Sequence, residues 1–318
     1  MTMNHHDAAA RIMEQDHILI LTHRRPDGDT IGSGAALCLG LRELGKEAYL
    51  HPNEDADGLF LPYMEGLLPP EDFLPSYVVT VDTAAPDLLP DSAAHYAARV
   101  DLSIDHHGSN TGYAHATWVD SSHGACGELI YLLLMDLGVL TPRIALLLYV
   151  AISTDTGCFA FANTTAETHR IAAALMETGF DVYSVNKLHF RTKSPRRLRL
   201  ESRMIQDMEL LDGGRIAITA LPLSLLDELG AAEEDLENIT SFLEQLEGVD
   251  CAITIRELRS GGCKLSLRSG PTLNVSRVCA HLGGGGHPAA AGCSTEGSIS
   301  QARDAILTAL RQVQSETA

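Results

Sequence analysis

Ile18-Leu19-Ile20-Leu21-Thr22-His23-Arg24-Arg25-Pro26-Asp27-Gly28-Asp29 begins as a short aliphatic run and ends in a cluster of metal-seeking side chains. An apolar run of this length, bounded by Pro and Gly, reads as a buried strand followed by a turn. A strand that finishes in a histidine or an acid aims that side chain at the carboxyl edge of its sheet, where open α/β sheets bind ligands. The pattern recurs downstream: Tyr77 to Val81 runs into Asp82, and Val100 to Ile104 runs into Asp105-His106-His107. A further acid, Asp155 in Ser153-Thr154-Asp155-Thr156-Gly157, follows an apolar helix-like stretch. Singly, each piece has a plainer explanation, since an acid at a strand end is often a helix cap or a turn residue. Together they supply one two-metal site.

Residues 1–185 alternate strand-like and helix-like segments, the mark of a parallel sheet covered by helices. After the first strand the spacing predicts a small-residue helix from about Thr30 to Leu44, then a strand from Glu47 to His51. Loop with a short helix is expected over 53–76, and buried helices over Glu128 to Leu137 and Pro142 to Ser153. An amphipathic helix from Thr165 to Thr178 is stopped by Gly179. From about Arg215 the pattern changes. Ile216 to Leu221, Cys251 to Ile255 and Lys264 to Leu267 read as strands; Ser224 to Glu228, Asp235 to Leu246, Val275 to Leu282 and Ser300 to Val313 read as helices. The fold class is α/β, an N-terminal parallel sheet with helices on both faces, plus a smaller α+β C-terminal domain. The expected division is a metal-binding catalytic domain over 1–188, a linker helix over 189–212 and a substrate-binding domain over 213–318.

The chain of 318 residues carries a net charge of −19. Residues 1–190 hold 9 Lys and Arg against 25 Asp and Glu, a net of −16. Such a body repels long phosphate backbones, which proteins grip with basic stripes; a nucleic-acid substrate would have to be short and held locally. No stretch approaches the length of a membrane helix, and Met1 to Ala10 lacks the apolar core of a signal peptide. His5-His6 is too short to be a tag or a convincing metal tract. The 7 Cys are scattered and never form Cys-x-x-Cys, which implies free thiols in a reducing cytoplasm. Arg191, Lys193, Arg196, Arg197, Arg199 and Arg203 cluster near the domain junction; they read either as a solvated linker helix or as a phosphate-facing rim.

Aspartates in the majority, with histidine and no Cys, suit Mn²⁺ or Mg²⁺ better than structural zinc. Asp27, Asp29, Asp82 and Asp155 would balance two divalent ions in formal charge. In such sites the ions lie roughly 3.5–4 Å apart and clamp the attacking and leaving oxygens. Alternate residues of an extended Asp27-Gly28-Asp29 turn can reach neighbouring ions, and a bridging hydroxide is the natural nucleophile. The second conspicuous stretch is Gly283-Gly284-Gly285-Gly286-His287-Pro288-Ala289-Ala290-Ala291-Gly292. Its glycines are expected to expose backbone N–H groups as an anion-cradling nest, with His287 against the same ligand.

At these residues the chain resembles the DHH phosphoesterase family, whose motif is here Asp105-His106-His107, and within it the nanoRNase/pAp phosphatase branch with a C-terminal DHH-associated domain. The matching motifs are His23-x-x-Pro26-Asp27-Gly28-Asp29, Val81-Asp82-Thr83-Ala84, Asp105-His106-His107, Thr154-Asp155-Thr156-Gly157 with Phe161-x-Asn163-Thr164-Thr165, and the Gly283 to Gly292 stretch. The resemblance implies that His23, Asp27 and Asp82 hold one metal and that Asp29, Asp82, His106 and Asp155 hold the other, with Asp82 bridging. It implies two divalent cations, Mn²⁺ preferred and Mg²⁺ or Co²⁺ as substitutes. His107 would face the scissile phosphate or leaving group, and Asp105 would orient a histidine. Asn163, Arg268, Ser269, Asn274, Gly284, Gly285 and His287 would bind substrate, the C-terminal ones gripping the far end of the nucleotide and selecting its length. The implied substrates are short oligoribonucleotides, pApA and 3′-phosphoadenosine 5′-phosphate, for a cytoplasmic enzyme, with a homodimer as its assembly. The same fold specialised for cyclic di-AMP is the alternative, and a catalytically silent nucleotide sensor is the alternative from another class. Many relatives carry an Arg near the Phe159-Ala160-Phe161 stretch; Ala160 removes that phosphate contact.

Overall fold

Five parallel strands, β1 (Ile18–Leu21), β2 (Ala48–Leu50), β3 (Tyr77–Val81), β4 (Leu102–Asp105) and β5 (Ala116–Val119), build the N-terminal sheet in the order β2-β1-β3-β4-β5. In this computed structural model the described residues are 3–56, 58–236, 239–270 and 272–317. β1, β3 and β4 are buried along their whole length, as their aliphatic composition requires of central strands in a covered parallel sheet. β5 has no counterpart among the strands expected from the sequence; only Trp118 of its four residues is buried, so it carries too little apolar signal.

The helices of this unit are α1 (His5–Met13), α2 (Gly28–Glu43), the short α3 (Leu61–Met64), α4 (Cys126–Asp136), α5 (Pro142–Asp155), α6 (Ala166–Met176) and α7 (Val182–Asn186). Side chains alternate along each strand. Ile18, Ile20, Val79, Val81, Leu102 and Ile104 join the core that holds α1, α2, α4 and α5. Leu19, Leu21 and Val78 meet Leu89, Ala93 and Val100 on the other side. Both faces are therefore covered, but unequally: that second face is closed by 3₁₀ segments, Pro86–Leu88 and Asp91–Arg99.

Strand order places the topological switch between β1 and β3, and ligands bind in such sheets at the crevice outside that point. His23 follows β1 and Asp82 follows β3. α2 and α5 pack unusually close above them. A Cβ at Gly32 would stand 2.5 Å from the Leu147 carbonyl oxygen, and one at Gly28 would overlap the Thr154 side chain. Only glycine permits that approach, and the approach brings the beginning of α2 beside the end of α5.

The C-terminal unit has a mixed sheet, β10-β11-β9-β8-β7-β6, made from β6 (Glu209–Leu211), β7 (Ile216–Leu221), β8 (Cys251–Glu257), β9 (Cys263–Ser269), β10 (Gly285–His287) and β11 (Ala290–Thr295). Only β7 and β8 pair in parallel. α11 (Val275–Ala280) and α12 (Ile299–Thr317) belong to one core layer; α8 (Pro195–Asp207), α9 (Leu223–Leu229) and α10 (Thr240–Leu243) belong to the other. The helix expected over Asp235 to Leu246 is instead a 3₁₀ turn, Glu233–Leu236, and the short α10; residues 237 and 238 lie outside the described ones.

The chain divides into compact units at Met1–Thr192 and Lys193–Ala318. Within the segment read as a linker helix, α8 packs in the second unit, where Leu200 and Met204 are buried with Ala217, Leu221 and Leu225. Its basic residues are largely spent on acids. Arg197 and Lys193 pair with buried Glu201, Arg196 with Asp235 and Glu234, and Arg203 with Asp207 and Glu228. The phosphate-facing rim loses most of its charge to these pairs.

Candidate metal centre

Asp27 caps α2: its Oδ1 accepts from the N–H groups of Asp29 and Thr30. The helix therefore starts at Gly28, two residues earlier than the sequence suggests, and Asp29 lies in its first turn rather than in an extended turn. The separation of the two carboxylates is set by cap geometry. Asp29 is buried, with Oδ1 accepting from Ser33 Oγ (3.0 Å) and Gly127 N (2.9 Å) and Oδ2 from Cys126 N (2.7 Å). Those amides open α4, where free N–H groups and the helix dipole favour an anion.

At the end of β3, Asp82 adopts φ +52, a left-handed conformation that costs a non-glycine residue energy and is retained where the surroundings demand it. Its carboxylate reaches three histidines at once. Asp82 Oδ2 lies 3.6 Å from His23 Nε2, and Asp82 Oδ1 lies 3.4 Å from both His106 Nε2 and His107 Nδ1. His23 Nε2 is also 3.8 Å from Asp27 Oδ1; His106 Nε2 is 3.7 Å from Asp29 Oδ2 and 3.6 Å from Asp155 Oδ2. Two triads result, His23/Asp27/Asp82 and Asp29/His106/Asp155, and Asp82 with His106 and His107 makes a third group; in each the ligand atoms lie within 4.8 Å of one another. His106 ties Asp82 to the second.

The residues fit a cation. Asp82 Oδ1 is fully shielded yet has no hydrogen-bond partner, and a buried unpaired carboxylate oxygen is costly unless something positive faces it. His23 Nδ1–H donates to the Arg24 carbonyl (2.8 Å) and His106 Nδ1–H to the His123 carbonyl (3.3 Å). Both rings thereby turn Nε2 toward the acids, as metal-ligating histidines do. Asp155 closes α5, at the helix end whose dipole favours positive charge.

His107 is held differently. Its Nδ1 lies 2.8 Å from Asp105 Oδ1, and Asp105 also accepts from the His107 amide and, at 2.7 Å, from Asn110 Nδ2. Buried Asp105 thus fixes the ring of His107. Asn163 Nδ2 donates to the Gly124 and Asp155 carbonyls at 2.8 and 3.1 Å, with Asp155 Oδ2 at 3.5 Å. That geometry makes it a positioning group for Asp155, since the donors it would offer a substrate are engaged.

The segment 120–128 escaped the sequence reading. It supplies the His123 carbonyl, the Gly124 carbonyl and the Cys126 and Gly127 amides described above. Glu128, fully buried, accepts from Thr168 Oγ1 at 2.7 Å and so ties α4 to the start of α6. The signal was the turn-rich Asp120-Ser121-Ser122-His123-Gly124-Ala125 ahead of an apolar helix, a helix N-terminus in waiting.

In the C-terminal unit the glycine stretch is corrected. Gly283 N–H donates to the Ala280 carbonyl and Gly284 N–H to that of Cys279, closing the end of α11 rather than forming an open nest. Gly285 to His287 then pair with β11 as an edge strand. Ser269 is buried and donates to the Leu273 carbonyl at 2.7 Å, and Asn274 caps α11; both have structural duties. Arg268 and His287 are both paired with Ala290 across adjacent strands. Directly paired residues share a face, so these two side chains stand in one row, with Cα atoms roughly 10 Å apart.

Residues 17–152 match the DHH family, N-terminal domain, and residues 213–316 match the DHHA1 domain. The chain belongs to the DHH family. It is 35% identical over 300 residues to the bifunctional oligoribonuclease and PAP phosphatase NrnA of Thermus thermophilus, covering 93% of this chain and 89% of that protein. It is 28% identical to the protein of the same name from Bacillus subtilis, covering 88% and 89%. An exopolyphosphatase-related protein from Bacteroides fragilis has the same fold, with a TM-score of 0.88 at 24% identity, covering 97% and 96%. With this family and these relatives the chain is a hydrolase.

Electrostatics make cation binding compete with protons. Burial opposes the charged form of His23, but the Asp27 and Asp82 carboxylates win and hold its pKa up to about 11. For His106 burial is likewise outweighed, by Asp82, Asp29 and Asp155. Burial, then the neighbouring Asp82 and Asp155 charges, raise Asp29. A histidine ligates only when neutral, so a divalent cation must expel these protons. Apparent Mn²⁺ affinity should therefore rise with pH, by up to about tenfold per unit for each proton expelled. Calorimetry in buffers of different ionisation enthalpy would show net proton release; affinity independent of pH between about pH 6 and pH 8 would rule this out.

Proposed function

We propose that this protein is a phosphoesterase that hydrolyses short oligoribonucleotides and 3′-phosphoadenosine 5′-phosphate, with two divalent cations, Mn²⁺ first among them. The observation that carries the reading is buried Asp82 facing both histidine-carboxylate triads at the switch point of the sheet. Support for the substrates comes from the relatives named as oligoribonuclease and PAP phosphatase. In this reading His23, Asp27 and Asp82 hold one ion, and Asp29, Asp82, His106 and Asp155 the other. Bound there, the ions would supply a nucleophile of lowered pKa and neutralise charge at phosphorus. His107, its ring oriented by Asp105, attends the scissile phosphate or leaving oxygen. The acidic N-terminal unit is consistent with short substrates only, and the 7 free cysteines with a cytoplasmic setting. The reading includes a homodimer, which sedimentation velocity would test.

For substrate binding, Arg268, Gly284, Gly285 and His287 remain the candidates in the C-terminal unit, with the Arg268–His287 row as the favoured contact for a terminal phosphate or base. His287→Ala should weaken binding of dinucleotides and pAp by roughly tenfold or more, the size of one charge-assisted hydrogen bond. Cleavage of bis(p-nitrophenyl) phosphate, which needs only the metal centre, should be spared. Equal loss on both substrates would move His287 into the chemical step, and no loss on either would remove the glycine strand from recognition. A panel of RNA dinucleotides, pAp, cyclic di-AMP and pyrophosphate with Mn²⁺ tests the assignment itself. Turnover confined to cyclic di-AMP or pyrophosphate, or absent throughout, would refute it.

A further inference from the structure

Away from the acid-rich centre, one more group of metal-seeking side chains converges where α1 begins and α4 ends. His5 and His6 are the first residues of α1, and Asp136 is the last of α4. His5 Nδ1 and His6 Nδ1 each lie 2.7 Å from one oxygen, Asp136 Oδ2. The His5 contact is a hydrogen bond; the His6 nitrogen is equally near without being in line for one. The three donor atoms lie within 4.8 Å of one another.

This meeting is not a surface accident of flexible side chains. Ala8, Ala9 and Ile12 of α1 are buried in the same core as Leu129, Ile130 and Leu133 of α4. The Asn4/Asp7 capping box fixes the first turn of α1, so the backbone positions of His5 and His6 are determined by packing and by the cap.

We propose that His5, His6 and Asp136 form a separate metal site, selective for zinc, that clamps the start of α1 onto the end of α4. Two imidazole nitrogens and one carboxylate oxygen are a borderline donor set that suits Zn²⁺, in contrast with the carboxylate-rich centre, which suits Mn²⁺ or Mg²⁺. Donors at 2.0–2.1 Å on a tetrahedral ion stand roughly 3.3 Å apart. The nitrogen–oxygen separations need open by only roughly 0.6 Å, within reach of side-chain rotation where the His6 side chain is 70% exposed. A shallow concavity lined by His6, Ala9, Ala10, Met13, Asp136 and Leu137 adjoins the site and leaves room for water as a fourth ligand. The ligands are offered by elements far apart in sequence, so occupancy would pin α1 in place.

The test compares the full chain with His6→Gln and Asp136→Asn. After equilibrium dialysis against Zn²⁺, each variant should retain one ion fewer per chain than the parent, whatever the central site holds, because that site is common to all three. Hydrogen exchange should show the amides of α1 slowed by Zn²⁺ in the parent only, and not by Mg²⁺. Equal zinc content in the three proteins, or exchange in α1 indifferent to zinc, would overturn the proposal. Should Asp136→Asn fold poorly, the exposed His6→Gln decides the outcome alone.

Discussion

Asp82→Ala should abolish hydrolysis and lower the bound metal together. Its two carboxylate oxygens face different histidines, at 3.6 Å from His23 and 3.4 Å from His106. Among the described residues it is the acid that groups both with His23 and Asp27 and with His106 and His107. Losing it removes a shared ligand and leaves His23 and His106 without their common carboxylate. Metal ions supply several kcal/mol of transition-state stabilisation, and about 1.4 kcal/mol is a factor of ten. A fall of at least about three orders of magnitude in kcat/KM is therefore expected. Asp82→Asn, which keeps the volume and removes the charge, guards against a folding artefact and should lose metal as well. Near-normal turnover with Mn²⁺ in either variant would sink the two-metal assignment.

His107→Ala should separate chemistry from metal binding. The adjacent histidines are held in different ways, His106 by its Nε2 among Asp29, Asp82 and Asp155, His107 by its Nδ1 on Asp105. Their rings stand 4.4 Å apart at 64°, so they do not address one ion in the same manner. His107→Ala is expected to keep its metal while kcat falls about 10²–10⁴-fold, the range for a positioned proton donor or acceptor. His106→Ala should instead lose metal. Mass-spectrometric metal analysis beside single-turnover rates distinguishes the two; the reverse pattern would exchange the roles.

Much of this was visible in residue order. Aliphatic runs ending in His23, Asp82 and Asp105 announced strands and the edge on which their last side chains gather. The unbroken aliphatic runs of β1, β3 and β4 are what suit them to the middle of a sheet covered on both faces. Less visible was Asp155, whose helix is ordinary in sequence. It joins Asp29 and His106 because glycines at 28 and 32 let α2 and α5 approach, and the partners of those glycines are more than a hundred residues away. Segment 120–128 was missed for a related reason: at the centre it acts through the His123 and Gly124 carbonyls and the Cys126 and Gly127 amides, groups that every residue type carries.

What residue order determined by itself is therefore the set of candidate donor residues, the parallel sheet that presents them and the change of pattern that marks a second domain, because strand formation and donor type are properties of short segments. Tertiary structure alone decided whether the glycine stretch was a nest or an edge strand, whether the basic helix faced phosphate or its own acids, and that His5 and His6 meet Asp136. Each of those outcomes depends on which distant group takes up a backbone amide, a guanidinium or an imidazole. A hydrogen bond or ion pair has no preference for neighbours along the chain, only for those that packing brings within reach.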